Sequence, residues 1–201
     1  LVRTKPDRHW TIALNSRIQN KRRLRFTYAH ELGHFMCHRD LSDRFDDSED
    51  SLNDFRNNLE QEANIFAAWL LMPANLIREE FRHCKWNTET LRNLGSRFEC
   101  SLQASALRYV SLNARPIAFV VSRDGMIIWS GKSESAPFMT SYKFGDELPR
   151  DSHARQAFDK GEASRSPLEI GPVWSSYNSA IESQYFDSSG QGYQYTCIEF
   201  S

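Results

Sequence analysis

The sequence predicts an α+β chain, helical in its N-terminal part and β-rich in its C-terminal part, with the boundary near residue 115. Three observations carry that expectation. Residues 25–37 place apolar or small side chains at Phe26, Ala29, Gly33 and Cys37, a spacing of three or four that suits an amphipathic helix. Residues 59–72, LEQEANIFAAWLLM, run without a breaker until Pro73, where a helix has to stop. After Arg115-Pro116 the pattern changes to IAFVV, SRDG and MIIWS, which is a strand, a tight Asp-Gly turn and a strand.

Taken in order, the chain opens with a strand-like segment from His9 to Asn15, followed by SRIQNKRRLR, a polar and basic turn. The helix over 25–37 comes next. Residues 42–58, SDRFDDSEDSLNDFRNN, are too acidic and too poor in apolar side chains for a core segment, so a mobile loop is expected. The run over 59–72 is apolar nearly all the way round in its second half, the pattern of a buried central helix. A helix over 74–83 follows. Two more, with a short turn near Glu99 to Ser101, make a helix-turn-helix-like pair. Beyond the boundary, SAIESQYF and YQYTCIEF repeat the strand theme, and a short helix fits around His153 to Phe158.

With 201 residues and 40% hydrophobic content, one substantial core or two modest ones are affordable. A formal net charge of -1 excludes a strong overall field toward nucleic acid or anionic lipid. Cys37, Cys84, Cys100 and Cys197 lack the C-x-x-C spacing of a redox pair or zinc ribbon, so buried free thiols in a reducing compartment are expected. No segment has the 18 or so consecutive apolar residues of a membrane span, and LVRTKPDRHW has no signal-peptide core. A cytoplasmic location without membrane contact follows. The abrupt opening on a strand-like segment is what a trimmed form of a longer protein would show.

The chemistry concentrates in TYAHELGH, residues 27–34. On a helix, His30 and His34 lie four apart on one side and can aim two nitrogens at one point. Glu31, about 100° round the helix, is displaced from that line but can reach a water held there. Its suitable role is general base: a metal lowers the pKa of its water to about 7, and the carboxylate takes the proton as a polarised carbonyl is attacked. Such a pair alone also occurs by chance, and a catalytic zinc usually has a third protein ligand.

Glu60 and Glu62, ahead of the apolar run, are the candidates, since a carboxylate at the head of a buried helix needs a partner. Glu60, Ala63, Asn64 and Ala67 form one stripe whose alanines allow close approach of the two helices, with Asn64 placed to hydrogen-bond a ligand histidine. Glu62 instead leads Ile65, Phe66 and Trp69, which reads as packing surface. Glu60 is favoured, with Glu62 left open.

RFTYAHELGHFMCHR followed by EQEANIFAAWLLMP resembles the ImmA/IrrE family of zinc metallopeptidases, which joins H-E-x-x-H to a later E-x-x-A-N/D-x-F-A-x-x-L-L-x-P. The resemblance covers about residues 10–110. It implies zinc held by His30, His34 and Glu60, Glu31 as catalytic base, and a zincin-like metallopeptidase core over residues 1–80. It also implies a helix-turn-helix-like segment over 81–114 and, in outline, a GAF-like sensory domain over 115–201. The family's usual first helix and strand are missing ahead of Leu1. Members cut helix-turn-helix transcriptional repressors in stress response or mobile-element control, so such a repressor is the implied protein substrate.

His38 continues the His30/His34 series but lies about 12 Å from His30 along a helix, and a C-terminal histidine favoured by the helix dipole accounts for it. His9, His83 and His153 have no visible partners and read as surface or structural. The run Lys21-Arg22-Arg23-Leu24-Arg25 reads as a solvated loop, and the acidic loop from Asp43 to Asp54 as a linker or a gate over the cleft. The competing function is a DNA-associated or sensory module on a peptidase scaffold. Residues 88–111 carry only Arg92, Arg97 and Arg108 as cations, thin for phosphate contacts.

Overall fold

The computed structural model describes residues 1–3, 9–45, 54–163, 166–187 and 192–201, with the backbone alone over 54–57. The centre of the acidic loop, residues 46–53, lies outside the described residues, as does the centre of the turn predicted at 187–192. The chain is α+β, with six helices and a five-stranded antiparallel sheet among the described residues. It divides into two compact units, Leu1–Ile77 with Phe98–Ser101, and Arg78–Arg97 with Leu102–Ser201.

The first unit is built on two helices, α1 (Lys21–His38) and α2 (Asp54–Leu71). The basic run expected as a loop is instead the first turn of α1. Asn20 caps it, its side-chain oxygen accepting from the backbone N–H of Arg22 at 3.0 Å and of Arg23 at 3.2 Å, and the cap satisfies donors that the first turn leaves open. Arg22 and Arg25 donate to the carbonyls of Cys100 and Phe98 at 3.1 and 2.7 Å, which gives two of the run's cations fixed partners. The strand expected over 9–15 shrinks to β2 (Trp10–Thr11), paired antiparallel with β1 (Val2–Arg3), which the sequence pattern did not mark. Residues 43–45 line the other side of β1: Arg3 N donates to Asp43 O, and Phe45 N to Leu1 O, both at 2.8 Å.

The interface of α1 and α2 rests on small residues. Ala63 and Ala67 are completely buried, and a Cβ added to Gly33 would sit 3.0 Å from both Cα and O of Ala63. Contact this close between backbones is what glycine and alanine permit. The expectation that α2 is buried all round fails: Ile65, Trp69 and Leu70 are 54%, 63% and 49% exposed. The alanine stripe faces α1, with the Phe66 Cβ beside it at Gly33, while Ile65, Trp69 and Leu70 are left exposed.

The second unit takes its core from the sheet, in the order β4-β3-β7-β6-β5. Its strands are β3 (Ile117–Arg123), β4 (Met126–Lys132), β5 (Leu168–Ile170), β6 (Ala180–Phe186) and β7 (Tyr193–Phe200). Asp124 and Gly125, with φ of 53° and 75°, make the two-residue turn read from the sequence between β3 and β4. Six consecutive buried residues in β3 show that both faces of the sheet are covered. Ala118, Val120 and Ile198 pack with Trp174, Leu148 and the helix α6 (His153–Lys160). Phe119, from the alternate face, meets Trp86, which stacks on Tyr109 at 5.0 Å.

The helices α4 (Thr88–Arg97) and α5 (Leu102–Leu112), the predicted pair, pack against this sheet, while α3 (Ala74–Phe81) precedes them. Glu99, at φ 52°, lies in the turn between α4 and α5. All four cysteines are free. Burial holds for Cys100 and Cys197, whose thiol pKa values it pushes up, whereas Cys84 is half-buried and Cys37 exposed. No helix among the described residues is long and apolar enough to cross a membrane.

Candidate metal centre

Histidines 30 and 34 occupy successive turns of α1, and both are buried. Their Nε2 atoms face each other at 3.1 Å. From α2, Glu60 brings Oε2 to 3.1 Å from His30 Nε2 and Oε1 to 3.3 Å from His34 Nε2. Among the described residues these three form the group able to hold a metal ion, with their ligand atoms all within 4.8 Å of one another.

The donor set fits a cation. Two imidazole nitrogens and a carboxylate turned to one point offer lone pairs that a shared proton or a metal cation can hold together. Tetrahedral zinc, with metal–ligand bonds of about 2.0 Å, spaces its ligand atoms about 3.3 Å apart, close to the 3.1 Å between the two Nε2 atoms, while Glu60 turns one carboxylate oxygen to each histidine. The group therefore has the donor chemistry of a metal site.

The far side of each ring is also held. His30 Nδ1 donates to Asn64 Oδ1 at 3.0 Å, the arrangement expected from the Asn64 position on the Glu60 stripe. His34 Nδ1 lies 3.1 Å from His38 Nδ1, and His38 Nε2 lies 3.0 Å from Glu62 Oε2. Phe45 stacks on the His34 ring at 4.9 Å with 19° between planes. Glu31, only 5% exposed, accepts at Oε2 from the Leu1 nitrogen at 2.7 Å.

The structure thus brings His30, His34 and Glu60 together and puts Glu62 elsewhere, against His38. His38 does end the helix, but it is 1% exposed and hydrogen-bonded at both ring nitrogens, so the dipole alone does not account for it. Its signal was in the sequence: a third histidine at the same four-residue interval continues the buried stripe of α1. Phe45, a lone aromatic next to the acidic run, gave no comparable sign. His9 and His83 are exposed, and His153 lies near the Glu169 carbonyl at 3.0 Å.

Residues 1–109 match the family model described as the IrrE N-terminal-like domain, Peptidase_M78. The chain belongs to the ImmA/IrrE family. Its helical N-terminal part is accordingly a metallopeptidase-like scaffold, and the histidine–glutamate group lies within the matched region. No curated protein matches the sequence. Among solved structures, a Mycobacterium tuberculosis transcriptional regulator is similar at 17% identity and a TM-score of 0.53. The alignment covers 88% of this ImmA/IrrE chain and 55% of that protein, so the chain spans about half of the neighbour's length. At that identity the likeness is one of fold.

Proposed function

We propose that the protein is a zinc-dependent endopeptidase that cleaves a helix-turn-helix transcriptional repressor in a stress-response or mobile-element circuit of the cytoplasm. The convergence of His30, His34 and Glu60 on one point, with Glu31 buried one residue from His30, carries the reading. His30 and His34 present Nε2 to the ion, and Glu60 adds the third ligand and a negative charge. Once bound, zinc supplies Lewis acidity to the carbonyl being hydrolysed and makes water easier to deprotonate. Glu31 takes the proton from the attacking water and passes it to the leaving amine nitrogen, so the peptide bond breaks to a carboxylic acid and an amine, which then exchange a proton to carboxylate and ammonium. Asn64 keeps His30 oriented throughout. In this proposal residues 1–80 are the peptidase core, 81–114 an accessory helical segment and 115–201 a sensory or substrate-holding domain.

A repressor substrate rests on the family's habit and is compatible with the neighbour's description as a transcriptional regulator. DNA binding by the α4–α5 pair gains no support from its cations. Arg97 forms two 2.6 Å bonds with Glu80, Arg92 lies 5.0 Å over the Tyr185 ring, and Arg108 is buried. Arg92 and Arg97 are exposed, but Arg97 is already paired and Arg108 is buried, which leaves few cations for phosphate contacts.

Incubating the zinc-loaded protein with candidate repressors, and separately with casein, tests the proposal. Cleavage of one repressor at a single site, with casein left intact, is the expected result. Rapid, unselective casein degradation with every repressor intact would remove the regulatory role and leave the peptidase chemistry standing.

A further inference from the structure

We propose that His38 and Glu62 are positioning residues that hold His34 in the one tautomer able to present Nε2 to a metal. The inference rests on the reading of His34 as a metal ligand and adds two residues to it. A neutral imidazole carries one proton, on one nitrogen. His34 Nε2 is the atom that faces His30 Nε2 and Glu60 Oε1, so as a ligand it must be bare and the proton must sit on Nδ1. That proton points at His38 Nδ1, 3.1 Å away, which then has to accept it with a lone pair. His38 in turn carries its own proton on Nε2 and donates it to Glu62 Oε2 at 3.0 Å.

The opposite assignment fails at both ends. It would place a proton on His34 Nε2, among the ligand atoms, and turn a bare His38 nitrogen toward a carboxylate. Glu62 accepts and, when ionised, cannot donate, so its presence decides the direction of every hydrogen bond back to the metal site. His30 reaches the same end in one step through Asn64. The relay is also protected: His38 is 1% exposed, and the Phe45 ring lies 4.9 Å from that of His34 and 6.0 Å from that of His38. Only the Glu62 end is open, its side chain 61% exposed. Truncating Glu62 therefore touches the relay without touching the core.

Zinc affinity of the full chain, measured by competition with a chromophoric chelator, tests the relay in wild type, Glu62→Ala, Glu62→Gln, His38→Gln and Glu60→Ala. Glu62→Ala and His38→Gln should bind zinc about 10- to 100-fold more weakly, with the metal-free protein melting as wild type does for Glu62→Ala. Glu62→Gln should recover most of the loss, because its amide oxygen still accepts from His38. Long-range proton–nitrogen spectra of the zinc-loaded wild type should show His34 protonated on Nδ1 and His38 on Nε2. In Glu62→Ala, His38 should occupy both tautomers. Wild-type affinity in both Glu62→Ala and His38→Gln, or a wild-type His38 protonated on Nδ1, would overturn the relay. Loss as complete in Glu62→Ala as in Glu60→Ala would overturn it too, by making Glu62 a ligand. Wild-type protein that takes up no zinc would remove the metal centre itself, an outcome distinct from the others.

Discussion

Glu31→Gln is expected to keep the fold and the zinc while lowering peptide hydrolysis by about 10²-fold or more. Gln has the size of Glu and its amide oxygen can still accept a hydrogen bond. It cannot take up a proton from the attacking water. Because Glu31 is not among the three converging ligand residues, its charge can be removed without subtracting a donor from the site. Steady-state cleavage of the identified substrate, with zinc content measured on the same samples, gives the answer. Undiminished turnover at full zinc loading would exclude Glu31 as the base.

Gly33→Ala should have the second largest effect, and through packing alone. Position 33 lies between the two histidines in sequence but faces α2, where an added Cβ would meet the Ala63 backbone at 3.0 Å and the Phe66 Cβ at 3.3 Å. Backbone atoms cannot swing aside as the end of a long side chain can. The helices must therefore separate or shift, at a cost of about 1–3 kcal/mol. Glu60 lies one turn before Ala63 on α2, so the same shift draws its carboxylate away from His30 and His34. Urea unfolding should report the lost stability, and chelator competition should report a zinc affinity reduced by at least about tenfold. Wild-type values for both would mean that the α1–α2 approach does not set the site.

Much of this was legible in the sequence because helix periodicity is local. The four-residue interval of His30 and His34, and the stripe Glu60, Ala63, Asn64 and Ala67, each depend on one helix, and the small residues on both sides marked where the helices meet. The Asp-Gly turn was equally local, since positive φ at two consecutive positions demands such residues. What escaped depends on distant chain segments. Nothing near Val2 announces a strand, because its partners are Thr11 and the segment around Arg44. Hydrophobicity overstated the burial of α2, since the close contact read from its alanines holds while Ile65 and Trp69 stay exposed. His38 was visible as a residue, but its role needed the position of Glu62 on the other helix.

The central claim is that His30, His34 and Glu60 together hold one zinc ion, and elemental analysis of the purified protein tests it most directly. Wild type should carry zinc near one equivalent. His34→Ala and Glu60→Ala should lose it at metal concentrations where Glu62→Ala, weakened but retaining all three ligands, can still be filled. Zinc absent from wild type after incubation with excess metal, or retained at full occupancy in Glu60→Ala, would contradict the account.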